Sequence, residues 1–165
     1  MIFCVLSDSH GDTAAMDRLL IDLRARELIV DAFIHAGDYA ADTNYISTKT
    51  GLPVYVVWGN SDPYKQRHHY KPDEFIDVAD KLIWLTHGHR YLQMVQDLSP
   101  LHEQAQVYIA DIVVYGHTHQ PAIESIDEIL FLNPGSISMP RMSKPSYAIL
   151  EVTSENIHTV IYEID

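Results

Sequence analysis

The chain has 165 residues, 47% apolar and 21% charged, the balance of a soluble globular protein long enough to bury a sizeable core as one domain, residues 1–165. Its formal net charge of -12 repels a phosphate backbone, which argues against a duplex nucleic-acid binder. One cysteine, Cys4, excludes a disulfide framework; no apolar segment approaches membrane-spanning length, and the opening "MIFCVLSD" lacks the basic flank of a secretion signal, so the expected location is cytoplasmic with no membrane partner.

Apolar runs alternate with amphipathic stretches through the first two thirds of the chain. "IFCVL" (2–6) reads as a buried strand, and Cys4 within it as an inert core thiol. Residues 12–26 read as a helix, with Met16, Leu19, Leu20 and Leu23 at spacings of three and four. "AFIHA" (32–36), "VYVVW" (54–58), "KLIWLT" (81–86) and "DIVVY" (111–115) read as further strands. "SPLHEQAQVYIAD" (99–111) reads as a helix with Ser99 as N-cap and Pro100 at the first helical position, and with Leu101, Ala105, Tyr108 and Ile109 on one face. From Pro121 the rhythm changes: "AIESIDEILFLNPG" and "SYAILEVTSENIHTVIYEI" alternate as antiparallel strands joined by short turns do. The expected fold class is α/β, with two packed sheets flanked by helices.

Each of five apolar runs ends in Asp, Asn or His beside a glycine: Asp8 and His10, Asp38, Asn60, His87 and His89, and His117 and His119. Ligands of open α/β sheets bind at the carboxyl ends of strands, so these groups are expected to converge. Carboxylate, amide and imidazole together suit first-row divalent ions: manganese foremost, with nickel, iron or zinc as alternatives. Seven such positions, Asp8, His10, Asp38, Asn60, His87, His117 and His119, are too many for one ion and enough for two that share a carboxylate. Residues i and i+2 of extended backbone point the same way, so Asp8 with His10, and His117 with His119, are expected to address one site. Taken singly, each motif has an ordinary alternative: D-x-H and Gly37-Asp38 as turns, Gly59-Asn60 as a hairpin signal, the histidine pairs as loop residues.

The order D-x-H, G-D, G-N, H-G-H, G-H-T-H resembles the calcineurin-like metallophosphoesterase superfamily. The segment "LNPGSISMPR" (132–141) and the short chain resemble its small prokaryotic phosphodiesterase branch. The resemblance implies an α/β/β/α four-layer fold, a two-sheet β-sandwich flanked by helices. It also implies two divalent ions, one held by Asp8, His10, Asp38 and His119, the other by Asp38, Asn60, His87 and His117. The implied reaction is hydrolysis of a small phosphate ester, a diester before a monoester, by a hydroxide bridging two ions about 3.5–4 Å apart. Asn60 and His87 would then act at the reacting group as well as hold metal.

Many members carry histidine directly after the G-N asparagine, where it protonates the leaving group; here that position is Ser61. His89 is the substitute candidate, with orientation of a neighbouring ligand as its alternative role. Arg141 can contact substrate oxygens or be an ordinary surface arginine. "KQRHHYK" (65–71) can guide phosphate toward the site or be a solvated face. His35 reads as a packed residue, His102 and His158 as surface positions. Two rival readings are a protein-binding scaffold like the retromer subunit of this fold, with an impaired centre, and a nuclease of the same superfamily. A homo-oligomer is compatible with the sequence.

Overall fold

The computed structural model describes residues 1–92 and 97–164. Among the described residues, ten strands form two five-stranded sheets. The first has the order β10-β9-β1-β2-β3, from β1 (Ile2–Leu6), β2 (Ala32–His35), β3 (Val54–Val56), β9 (Ser146–Val152) and β10 (Ile157–Glu163). The second has the order β4-β5-β6-β8-β7, from β4 (Asp73–Val78), β5 (Lys81–Thr86), β6 (Ile112–Val114), β7 (Pro121–Ile126) and β8 (Ile129–Pro134). The helices are α1 (Thr13–Ala25), α2 (Thr43–Thr50), α3 (Tyr64–Arg67) and α4 (Ser99–Tyr108), with a 3₁₀ turn over Ala40–Asp42.

Side-chain alternation explains the layering. Phe3 and Val5 of β1, Ala32 and Ile34 of β2, Ile83 and Leu85 of β5, and Ile112 and Val114 of β6 meet in the core between the sheets. Cys4, Leu6 and Phe33 face the other way and pack on Met16, Leu19 and Leu23 of α1 and Ile46 of α2. Trp84, Val113 and Phe131 pack on Leu101 and Ala105 of α4. Strands apolar on both faces are therefore strands covered on both faces. The result is the expected two-sheet sandwich flanked by helices. Among the described residues no helix is long and apolar enough to cross a membrane.

Local signals act as their chemistry requires. Asp12 caps α1 by accepting from the Ala15 N–H at 2.9 Å. The β7–β8 turn places Asp127 and Glu128 at φ 48° and 66°, and the β4–β5 turn places Ala79 and Asp80 at 50° and 60°, the paired left-handed residues of tight hairpins. Helix α4 departs from expectation at both ends. Its N-cap is Leu98, which makes no side-chain cap bond, and Asp97 just before it accepts from the Ser99 N–H at 3.0 Å. Ile109 does not continue the buried face: it is the left-handed C-cap, and 83% of it is exposed. His102, expected at the surface, is half-buried: its ring packs 6.2 Å from Phe131 and its Nε2 lies 3.2 Å from Asp127.

Candidate metal centre

The parallel strands β1, β2 and β3 of one sheet and β5 and β6 of the other end at the same place, and the polar residues beyond them meet there. Asp8, His10, Asp38 and His119 each bring one ligand-type atom within 4.8 Å of all the others. His119 Nε2 lies 3.2 Å from Asp8 Oδ1 and 3.5 Å from His10 Nε2, and His10 Nε2 lies 3.7 Å from Asp38 Oδ2. On the other side of Asp38, Oδ1 is 3.3 Å from His87 Nε2, which is 3.2 Å from Asn60 Oδ1. The His117 ring is 5.4 Å from His87, centre to centre. The Asp38 carboxylate thus stands between two groups of ligand-type atoms, one oxygen toward each.

Convergence does not come from extended backbone. Asp8, His10, Asp38, His117 and His119 are all left-handed, with φ between 49° and 68°. The chain turns left-handed in this way after β1, β2 and β6, a conformation that costs free energy in non-glycine residues and concentrates at functional sites. Glycine is needed beside these residues for space. A Cβ on Gly59 would overlap the Asp38 carboxylate, and one on Gly116 would overlap Ser7 Oγ.

Two histidines have their tautomer fixed from behind. His87 Nδ1 lies 2.7 Å from the Ala36 carbonyl and His119 Nδ1 2.6 Å from the Met139 carbonyl. A carbonyl only accepts, so Nδ1 carries the proton and Nε2 turns its lone pair inward, the arrangement of metal-ligating imidazoles. Asp8 is fully buried, and neither of its carboxylate oxygens has a hydrogen-bond donor in good geometry. Burial alone would push this carboxyl up, but His119 and His87 hold it below the usual carboxylate value. The same pairing raises His119, against its burial. A buried carboxylate with an imidazole nitrogen 3.2 Å away, grouped with ligand-type atoms of His10 and Asp38, fits a cation.

The loops are fastened by residues that strand-end reasoning does not single out. Asp62 accepts from the N–H groups of Gly59 at 2.7 Å, Ala40 at 2.7 Å and Tyr39 at 3.1 Å, tying the Asp38 and Asn60 loops together. Asp42 accepts from Ser9 Oγ at 2.6 Å and Gly11 N–H at 2.8 Å, and so holds the D-x-H loop. Buried His35 stands behind it, Nε2 2.9 Å from Ser9 Oγ. The "LNPGSIS" segment is a second clasp. Asn133 donates to Gly116 O and Thr118 Oγ1, both at 3.0 Å, while Ser136 and Ser138 donate to the Asp8 carbonyl at 2.8 Å. Their sequence signal was the motif itself, which points to the family without revealing what each residue touches.

Ser61 is more than a missing histidine: its N–H and hydroxyl both reach Asp38. His89 lies 5.2 Å from His87 and 6.3 Å from His117 between ring centres. Burial, with His87, His117 and Arg90 nearby, lowers it to about 4, so the ring is neutral at pH 7. Arg141 is exposed, and its N–H donates to the His119 carbonyl at 3.1 Å. His158 is exposed.

The calcineurin-like phosphoesterase superfamily domain matches residues 1–155, and the chain belongs to that superfamily. Phosphodiesterase YfcE of Escherichia coli K12 is 30% identical to it, over 88% of this chain and 84% of that protein. A crystal structure of a predicted phosphoesterase from Streptococcus pneumoniae superposes with a TM-score of 0.77 at 31% identity, covering 99% and 92% of the two chains. Zinc-bound Vps29 from Entamoeba histolytica superposes with a TM-score of 0.78 at 23% identity, covering 98% and 92%, and shares the fold.

Proposed function

We propose that residues 1–165 form one phosphoesterase domain that uses two divalent ions to hydrolyse a small phosphate ester, with phosphodiesters preferred. The observation that carries this reading is Asp38, whose two oxygens face separate groups of ligand-type atoms. Asp8, His10, Asp38 and His119 would hold one ion, and Asp38, Asn60, His87 and His117 the other. Ions there would supply Lewis acidity, ionise water near neutral pH and clamp phosphoryl oxygens. Superfamily membership and the phosphodiesterase relative support the reaction class.

The protein's own part is preorganisation. The Ala36 and Met139 carbonyls fix the lone pairs of His87 and His119. Asp62 and Ser61 fix Asp38 relative to Asn60. Neutral His89 cannot act as an imidazolium donor, and a serine hydroxyl is a weak acid, so esters whose leaving oxygen needs no proton suit this site. Arg141, at the His119 loop, is the candidate to meet substrate oxygens. A protein-binding scaffold is the rival; the seven ligand positions all retain ligating side chains, which favours the enzyme.

The test is a screen of phosphomonoesters, phosphodiesters and cyclic nucleotides against chelator-stripped protein loaded in turn with manganese, nickel and zinc. Hydrolysis of diesters that needs added metal is expected. No turnover with any ion would overturn the reading.

A further inference from the structure

The segment "KQRHHYK" contains one arginine that neither contacts the ligand-type atoms nor faces solvent freely. Arg67 ends α3, directly after the Gly59–Asp62 turn, and folds back beneath it. Its Nη2 donates to the Asn60 carbonyl at 2.7 Å and its Nε to the Asp62 carbonyl at 2.9 Å. Its guanidinium carbon sits 4.7 Å from the centre of the Trp58 ring, which is itself 5.2 Å from His89.

Among the candidate ligands, Asp8, Asp38, His87 and His119 are buried, and packing confines them. Asn60 is exposed, so its position depends on what grips its backbone. Three side chains grip this turn: Asp62 accepts from Gly59, Asp38 accepts from the N–H and hydroxyl of Ser61, and Arg67 donates to the carbonyls of Asn60 and Asp62, so that among the described residues Arg67 alone holds the Asn60 carbonyl itself. A planar guanidinium makes two donations in fixed geometry while placed over an aromatic ring, which an ammonium cannot do.

We propose that Arg67 is a positioning residue for Asn60, holding that ligand in place for the second ion from a platform on Trp58. This rests on the two-ion reading. Loss of a group that orients a metal ligand typically costs about 10–100-fold in metal affinity.

The test is calorimetric titration of chelator-stripped protein with manganese, for wild type, Arg67→Met, Arg67→Lys, Asn60→Ala and the double variant Arg67→Met/Asn60→Ala. Methionine keeps contact with Trp58 and removes the donors. Arg67→Met is expected to weaken one of two binding steps about 10–100-fold and leave the other unchanged. Arg67→Lys should behave similarly although it keeps the charge. The double variant should bind no more weakly than Asn60→Ala, because both changes remove the same ligand. Arg67→Ala, titrated as well, leaves room for a free guanidinium, and guanidinium chloride at millimolar concentration should partly restore its weakened step. If Arg67→Met does not fold, Arg67→Lys carries the comparison. Two wild-type steps that stay unchanged in the Arg67 variants, or fully additive losses, would overturn this inference alone. A single wild-type step would overturn the two-ion reading and this inference with it.

Discussion

Ser61 donates twice to Asp38, from its N–H to Oδ1 at 2.7 Å and from its hydroxyl to Oδ2 at 2.8 Å. The residue standing where many superfamily members have a histidine therefore fastens the proposed bridging carboxylate. Ser61→Ala should lower turnover and metal affinity by about tenfold or more. Ser61→His loses the same hydroxyl contact but brings a proton donor, worth about 10²–10⁴-fold where a leaving group needs one. The ratio of kcat/KM for matched alkyl and aryl esters is expected to rise in Ser61→His relative to Ser61→Ala. An unchanged ratio would mean that another group already protonates the leaving oxygen.

Asp62 should be the residue whose loss is felt most widely. Asp62→Ala strands three backbone N–H groups, and hydrogen bonds to a charged group contribute about 1.5–3 kcal/mol each. A fall in stability of about 3 kcal/mol or more is expected in denaturant unfolding, together with lost activity. Near-native stability would show that these bonds are replaced by solvent.

Asn60→Ala and His117→Ala should behave oppositely, with turnover falling by about a hundredfold or more and Tm barely moving. A metal ligand shares in several kcal/mol of transition-state stabilisation, and each 1.36 kcal/mol is tenfold in rate. Asn60 is exposed and His117 half-buried on loops beyond strand ends, so neither supports the core. Retained activity with normal metal content would remove that residue from the ligand set.

Metal uptake should release protons. Asp8 raises His119, so in the metal-free protein His119 binds its proton more tightly than a free imidazole, and a metal must displace it. Above the raised value the proton is already gone and affinity is flat. Below it, affinity falls by about tenfold per pH unit for each proton displaced. Calorimetry in buffers of different ionisation enthalpy measures that proton directly. In Asp8→Asn the onset of the fall should move to lower pH.

Much of this was legible from residue order. β1, β2, β5 and β6 are apolar on both faces because helices and the opposing sheet cover them, and a polar residue ends each run where the cover ends. β4 was not legible. It is an edge strand whose "DEFIDV" buries only Ile76, with Phe75 42% exposed. α2 was missed for a similar reason, since "TNYISTKT" buries only Thr43 and Ile46. At the site, the candidate ligands could be read as residue types at strand ends. How they converge could not, because extended alternation is the default beyond a strand and the chain here turns left-handed five times. Asp62 and Arg67 were illegible for another reason: their work is done on backbone atoms, which leave no pattern in side-chain chemistry.

The candidate ligands do not all belong to one sheet. Asp8, His10, Asp38 and Asn60 follow β1, β2 and β3, whereas His87, His117 and His119 follow β5 and β6 of the other sheet. Between the strands the sheets meet through apolar side chains, contacts that resist separation but have little directional preference against sliding. An ion gripped by Asp8, Asp38 and His119 would act as a rivet at one end of the sandwich, fixing the two sheets against shear while the far end stays free to splay. Pulled through attachment points on opposite sheets, the metal-loaded protein would then yield at a higher force than the stripped one, and would begin to part at the end remote from the rivet.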